Sequence, residues 1–411
     1  MTNWKKGRKV LLGITGGIAA YKTPELVHRL CRAGCEVEII MTRAAGEFVA
    51  PLALSTLSGR RVWREDDFLS YEYGFKIPHI SLTEWADVFV VAPCTANTAA
   101  DMAWGRAESV IGAAFLAARC PALVFPAMNE NMYRHPATVD NLKRLAGYGV
   151  RVIEPDSGPL ACGSEGKGRM PEPEDIAEEV FRAASPVHDL DGAHVLVTAG
   201  PTREYLDPAR FISNPSTGKM GIAMARAAWY RGADVRVVLG PVAAPCTLHG
   251  LGVIPVVSAI DMRDAVMDNL PWADYIVKAA AVGDYRAKNI AEHKVKREGR
   301  GSISIELEQN PDIAAEVGAQ KAGRQVLVGF AAETDDITGN AKSKMERKGL
   351  DFILVNDILA PGSGFASDTN TLRLMPRSGE EEEDGKIFSG TKEDVAWNVW
   401  GEIIRSRRAP E

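Results

Sequence analysis

Apolar positions along this chain fall into two rhythms. Residues 8–15 form a short apolar run, a glycine pair follows, and residues 18–33 place apolar positions at helical intervals until Gly34, after which 35–42 is apolar again. A short apolar run that hands over to a 3.6-residue period and back predicts a βαβ unit. Further strands are predicted at 86–92, 121–126 and 150–154, with helix-like stretches between them. Strands that are apolar on both faces belong in a parallel sheet covered on both sides, so a doubly wound α/β fold is expected.

The helical pattern lapses over 184–192, and a new strand begins at 194–198 with a fresh turn, Ala199-Gly200-Pro201-Thr202. The same logic then repeats: a helix at about 218–231, strands at 234–239, 274–279, 325–330 and 351–355, and helices at about 260–269 and 336–348. At 411 residues the chain is too long for one core, because cores stop growing near roughly 250–300 residues. Two Rossmann-like domains are predicted, 1–190 and 191–411, the first flavodoxin-like. The motifs differ between halves, so this is no sequence repeat. The acidic run 378–386 predicts a solvated hairpin loop.

A hydrophobic share of 46%, a charged share of 25% and a net charge of −6 describe an ordinary globular chain with no electrostatic case for nucleic-acid binding. Any anionic ligand must meet local positive groups. Six cysteines without a Cys-x-x-Cys pair suit a reducing compartment, and the cytoplasm is expected. Cys31 and Cys35 read as plain thiols, since no second Cys or His pair accompanies them. The basic stretch Lys5-Lys6-Gly7-Arg8-Lys9 before an apolar run mimics a secretion signal, but Gly13, Gly16 and Gly17 interrupt it and an amphipathic helix follows. No run of about 18 apolar residues exists, so a membrane span is not expected.

In the first half, Gly16-Gly17-Ile18 sits where a strand hands over to a helix, a place where backbone can approach a phosphate; glycine pairs also serve close packing. Thr42-Arg43-Ala44-Ala45 and Pro93-Cys94-Thr95-Ala96-Asn97-Thr98 follow strands at their carboxyl ends, where open α/β sheets bind ligands, although Thr42 and Thr95 also read as helix caps. With His79-Ile80-Ser81-Leu82, Pro126-Ala127-Met128-Asn129 and Ala161-Cys162-Gly163, these stretches resemble the flavin-containing cysteine decarboxylases, in particular 4′-phosphopantothenoylcysteine decarboxylase, over most of 9–185. The resemblance implies flavin mononucleotide (FMN) held by Gly16, Gly17, Ile18, Thr42, Pro93, Thr95, Asn97 and Thr98. It also implies that His79 supports oxidation and decarboxylation, Asn129 holds the substrate carboxylate, and Cys162, in a glycine-rich flap, donates the last proton. The family builds its flavin site between subunits, so a trimer-based homo-oligomer is implied. The chain departs from the pattern at Gly105-Arg106-Ala107-Glu108-Ser109-Val110, where relatives usually carry Gly-x-Ala-Asp-Asp-Leu.

In the second half, Arg210 through Gly221 concentrates Arg, Ser, Asn, Thr, Gly and Lys before a helix, suiting phosphate or acyl-phosphate; the P-loop spacing is absent. Lys344 and Lys348 share one helix face, a spacing that alone describes a solvated pair. Together with Ala279-Ala280-Ala281-Val282-Gly283-Asp284-Tyr285-Arg286, His293-Lys294-Val295-Lys296-Arg297, Asn310-Pro311-Asp312-Ile313 and Gly329-Phe330-Ala331-Ala332-Glu333-Thr334, these stretches resemble the CTP-dependent phosphopantothenate–cysteine ligases over 191–376. That likeness implies CTP bound by Ala280, Asp284, Lys294, Asn310, Pro311, Asp312, Ile313, Phe330, Lys344 and Lys348. It further implies that Arg210 and Asn214 act on an acyl-cytidylate, that Lys294 also stabilises charge developing on the α-phosphate, that Mg2+ attends the triphosphate through ligands the sequence does not identify, and that the ligase dimerises. The substrates implied are 4′-phosphopantothenate, L-cysteine, CTP and phosphopantothenoylcysteine. A nicotinamide oxidoreductase is disfavoured by the missing Gly-x-Gly-x-x-Gly fingerprint. A non-catalytic flavin protein is disfavoured by His79, Asn129 and Cys162.

Overall fold

The computed structural model describes residues 3–67, 77–159, 163, 165–242, 247–296, 304–333, 337–357, 367–377 and 385–408. Two compact units divide the chain, Thr2–Pro186 and Val187–Glu411. Residues 187–190, counted with the first domain on sequence, go with the second unit: Leu190 is buried and its N–H donates to Arg231 O at 3.1 Å.

In the first unit the strands are β1 (Lys9–Ile14), β2 (Glu36–Met41), β3 (Val62–Arg64), β4 (Val88–Cys94), β5 (Ala122–Pro126), β6 (Arg151–Val152), β7 (Asp156–Pro159) and β8 (Glu165–Arg169). The first six form a parallel sheet in the order β3-β2-β1-β4-β5-β6. Leaving aside the three-residue edge strand β3, this is the flavodoxin order. β4 is buried at every position, as its unbroken apolar sequence requires. The helix expected over 18–33 is split into a 3-10 turn, Ile18–Lys22, and an α-helix, Thr23–Arg32, with Pro24 in its first turn. Proline lacks an N–H and fixes φ, so it starts a helix readily and cannot sit inside one. The strand expected at 150–154 shrinks to β6, and the β7–β8 hairpin went unforeseen because its polar, glycine-rich sequence has no apolar alternation.

The second unit contains β9 (His194–Ala199), β10 (Arg203–Asp207), β11 (Arg210–Ser213), β12 (Asp234–Leu239), β13 (Gly252–Pro255), β14 (Tyr275–Lys278), β15 (Tyr285–Ala287), β16 (Leu307–Gln309), β17 (Val326–Glu333), β18 (Phe352–Asp357), β19 (Thr369–Pro376) and β20 (Lys386–Thr391). Its sheet runs β13-β12-β9-β14-β17-β18-β19-β20. Strands through β18 are parallel, and β19 and β20 extend the edge antiparallel. This extension was not read from sequence, and residues 378–384 of the expected hairpin loop lie outside the described residues. The helix Lys219–Tyr230 is buried on nearly every side because it lies between the sheet and the helix Lys392–Arg408. Trp400, fully buried, donates its indole N–H to Met224 O at 2.9 Å across that contact.

Each sheet changes direction beside its first strand. β1 has β2 on one side and β4 on the other, and β9 has β12 and β14. At such switch points the loops leaving the carboxyl ends diverge and open a crevice.

Candidate active site

In the first unit the crevice is strapped by one threonine. Thr15, just past β1, donates its hydroxyl to Pro93 O at 2.8 Å and accepts from Thr95 N at 3.1 Å, joining the loops after β1 and β4. Gly16 then presses against the Arg43–Glu47 turn so closely that a Cβ there would lie 2.4 Å from Ala44 Cβ. At Gly17 a Cβ would point toward Thr95, 3.6 Å from Cγ2, so its lack of side chain leaves space in the crevice.

The cavity beside these glycines is about 400 Å³ and is lined by Gly16, Gly17, Ile18, Thr95, Met128, Asn129, Arg169 and Met170, among others. The loop Pro126–Asn129 forms one wall. Ala127 N donates to Cys94 O at 3.0 Å and Met128 N to Gly168 O at 3.0 Å. A Cβ on Gly168 would fall 2.1 Å from Met128 O, so the β7–β8 hairpin rests directly on that wall. Asn129 caps the short helix Glu130–Arg134, accepting from Asn131 N at 2.9 Å. The cationic groups here are already engaged: Lys22 is 3.0 Å from Glu172, and Arg169 pairs with the same carboxylate. Burial alone would raise the Glu172 carboxyl, but the Lys22 and Arg169 contacts more than offset it and hold it below the usual range.

Several residues assigned to this site on sequence do not line the cavity. Thr42 and Thr95 both cap helices, accepting from Ala45 N and Thr98 N, but only Thr95 also faces the cavity. Pro93 contributes its carbonyl to the Thr15 strap, Thr98 is buried against Thr95, and Asn97 is exposed, donating to Asp101 at 3.0 Å. Half-buried His79 is the second residue of the helix Pro78–Trp85, away from this lining. Cys162 lies outside the described residues. The described cysteines are poor nucleophiles: burial pushes the Cys35 and Cys94 thiols up to about 12.

The second crevice is held by more straps. Ala280 N donates to Thr198 Oγ1 at 3.2 Å, Gly283 N to Thr202 Oγ1 at 2.9 Å and Ala281 N to Gly200 O at 3.0 Å. The Asn214 amide donates to Ala281 O at 3.3 Å and Val282 O at 3.2 Å. From the other side, Asn310 donates its amide to Gly283 O and its backbone N–H to Asp284 O, both at 2.8 Å. These contacts fix the 279–284 loop.

Around that loop lie two adjoining chambers of about 350 and 250 Å³ that share Ala280, Val282, Asp284, Phe330 and Lys344, and so form one cleft. One end holds Ser216 to Gly221 with Asn356, Asn370 and Lys392. Gly218 opens the helix there with φ +75°, and a Cβ on it would lie 2.8 Å from Val242 Cγ1. The other end holds Lys278, Asn310, Pro311, Asp312, Ile313 and Lys348. Asp312 caps the helix Ile313–Gln320 and pairs with Lys348 at 2.9 Å. Burial raises its carboxyl, but Lys348 and the helix N–H groups bring it below the usual range.

The cleft thus gathers Ala280, Asp284, Asn310, Pro311, Asp312, Ile313, Phe330, Lys344 and Lys348. Arg210, Asn214 and Lys294 are not in its lining. Arg210 lies 3.4 Å from Asp207 and donates to Val295 O, while Val295 N donates to Asp207 at 3.2 Å, so exposed Lys294 rides on a segment tied to the β10–β11 hairpin. Hydrogen bonds from Ala209 and Val295 N–H and the Arg210 charge keep the Asp207 carboxyl ionised below its usual range. Sequence reasoning missed Lys278, Asn356, Asn370 and Lys392. Lys278 alone had a legible signal, a lysine closing an otherwise apolar central strand.

Comparison with known proteins follows this geometry half by half. A family model described as Flavoprotein matches residues 2–185, and one described as DNA/pantothenate metabolism flavoprotein C-terminal domain matches 190–406. The chain is 44% identical over 377 residues to the Coenzyme A biosynthesis bifunctional protein CoaBC of Escherichia coli strain K12, covering 91% of this chain and 92% of that protein. It is 43% identical over 399 residues to the Bacillus subtilis protein of that name, with 96% of each chain covered. The chain belongs to this family of coenzyme A biosynthesis bifunctional proteins. Its flavoprotein half carries the sparsely charged cavity and its DNA/pantothenate metabolism half the lysine-rich cleft. Among the described residues no helix is long and apolar enough to cross a membrane, and no cluster of three or more His, Cys, Asp or Glu could hold a metal.

Proposed function

We propose that the chain carries out two consecutive steps: CTP-dependent joining of L-cysteine to 4′-phosphopantothenate in the second unit, then FMN-dependent decarboxylation of the product to 4′-phosphopantetheine in the first. The observation that carries this reading is the end of the cleft where Lys219, Lys344 and Lys392 gather beside the Gly218 helix start. In a chain of net charge −6, that density of cations at the carboxyl ends of a parallel sheet suits a triphosphate.

A carboxylate is a poor acyl donor, because its leaving group would be oxide; an acyl-cytidylate supplies a good one and releases pyrophosphate. Ser216 to Lys219 and Lys344 would meet the phosphates, while Asp284 and the Asn310–Ile313 loop take the nucleoside. Arg210, Asn214 and Lys294 would act on the intermediate from outside the single-chain cleft, which agrees with a dimerising ligase. Mg2+ is expected to arrive on the triphosphate and to neutralise it.

The first cavity fits a flavin: Gly17 leaves backbone exposed where a side chain would project toward Thr95, and Ile18, Met128 and Met170 offer apolar walls to a planar ring. Bound there, FMN would supply a two-electron acceptor for the substrate's cysteine and later a two-electron donor, which would make carbon dioxide loss feasible. Asn129 would hold the substrate carboxylate and Cys162 would protonate carbon in the last step. His79 would serve from outside the single-chain cavity, as expected of a symmetric, trimer-based homo-oligomer. A cytoplasmic setting suits both substrates and free thiols.

The test is purified full chain with 4′-phosphopantothenate, cysteine, CTP and Mg2+. Yellow protein, CTP-dependent pyrophosphate release and 4′-phosphopantetheine formation are expected; colourless protein unresponsive to FMN, or no pyrophosphate, would overturn the corresponding half.

A further inference from the structure

Lys278 stands at the carboxyl end of β14, only 9% exposed, and among the described residues its Nζ is buried with no hydrogen-bond partner. Burying an ammonium without a partner is costly, and an apolar residue of similar length would fill the same strand position. The side chain lines the chamber that also holds Asp284, Asp312, Lys344 and Lys348. Lys348 is committed to Asp312 at 2.9 Å, which leaves Lys278 as an unengaged donor there. Burial draws the Lys278 amine down to about 7, with Asp312 raising it and Lys348 lowering it further. As an ammonium it can only donate, and as a neutral amine it still carries two N–H groups to donate.

What it donates to follows from how charge is distributed along the cleft. The Ser216–Lys219 end pairs backbone at a helix start with Lys219 and Lys392, a setting for phosphates. The Lys278 end sets Asp284, Asn310 and the Asp312–Lys348 pair around the bare backbone of Gly329, so groups of both signs face it, which suits a neutral base with donors and acceptors better than a polyanion. This end therefore suits the heterocycle. Cytosine presents O2 and N3 as adjacent acceptors, whereas uracil carries a proton on N3.

We propose that Lys278 reads the base of the bound nucleotide, donating to the O2/N3 edge of cytosine and so favouring cytidine over uridine triphosphate. This rests on the ligase reading above. The experiment uses the full chain and follows pyrophosphate release with phosphopantothenate, cysteine and Mg2+, with CTP as substrate and UTP as alternative substrate or inhibitor. In Lys278→Met, which keeps length and removes the donor, KM for CTP should rise at least tenfold and the preference for CTP over UTP should fall at least tenfold. The flavin absorbance should not change. Lys278→Gln, which keeps a neutral donor, should recover part of both losses and guards against a folding defect in the methionine variant. If Lys278→Met keeps its CTP KM and its CTP preference within twofold of wild type, the assignment of Lys278 is wrong while the ligase reading stands. If wild type releases no pyrophosphate from CTP, the ligase reading fails and takes this proposal with it.

Discussion

Each half of the molecule opens its crevice beside the first strand of its sheet and closes the crevice's base with a threonine from the end of that strand. Thr15 ties the loop after β4, and Thr198 ties the loop after β14. The surroundings then diverge. In the first unit the two cations at the cavity share Glu172 as a partner, and most of the other wall residues are uncharged glycine, alanine and methionine. In the second, lysines crowd the cleft and one of them, Lys278, has no hydrogen-bond partner among the described residues. The fold decides where a ligand sits, and strand-end and loop residues decide which ligand it is.

The largest effects should come from filling the two glycine openings. Gly17→Val puts a branched side chain into the space facing Thr95 and should yield colourless protein, with flavin affinity down at least 100-fold and pyrophosphate release within twofold of wild type. Gly218→Val forces a side chain to φ +75° and against Val242, strain of about 1–3 kcal/mol at a site that must meet phosphate. Ligation should fall at least 100-fold while the yellow colour stays. Absorbance and pyrophosphate assays on both variants decide it; loss of both activities in either variant would show that the halves are not separate machines.

A smaller effect separates the halves by pH. The Lys278 amine titrates near 7 in the folded protein and near ~10.4 when unfolded. Between those values the native state binds fewer protons than the unfolded state, so stability rises with pH through that window and the penalty is complete below about 7. Lys278→Met removes the penalty. Its melting temperature should exceed wild type most at pH 6 to 7, with the gap closing toward pH 10, and only the transition of the second unit should move. A gap independent of pH would mean the amine is not buried uncompensated.

Weaker still is the contrast between the straps. Thr15→Val leaves both Pro93 O and Thr95 N without a partner, a loss of about 1–3 kcal/mol, whereas Thr198→Val removes one bond, about 1 kcal/mol. Denaturant midpoints for the two units should therefore shift more for Thr15→Val. Equal shifts would mean that the extra straps of the second unit do not share the load.

The central sheet strands, the two-unit organisation and most of the lysine-rich cleft were legible because they rest on local signals, namely apolar runs, glycine turns, and residues close in sequence to a strand's carboxyl end, whereas the short edge strands β3 and β13 were not read. What failed was long-range. Nothing in the sequence says that Arg210 turns toward Asp207 and Val295, or that the Asn214 amide is spent on the carbonyls of Ala281 and Val282. The β7–β8 hairpin and the antiparallel β19–β20 edge were missed for another reason. Their pairing depends on partners that sequence periodicity does not name.

The smallest expected effect tests whether the first cavity is complete within one chain. Asn97 belongs to the loop motif that resemblance ties to flavin, yet its amide donates to Asp101 four residues on, along the exposed face of the helix Ala96–Ala103. An exposed pair at that spacing is worth about 0.2–0.5 kcal/mol. Within a single chain, then, Asn97→Ala should change stability by no more than about 0.5 kcal/mol and flavin affinity by less than threefold, measured by absorbance titration of stripped protein. Thr95→Val, two residues back at the cap of the same helix and facing the cavity, is the matched control and should weaken flavin binding more. If Asn97→Ala instead loses flavin more than tenfold with its stability intact, the residue must reach a flavin held by another copy. The two halves would then differ in kind, the first unable to complete its site without a neighbouring chain.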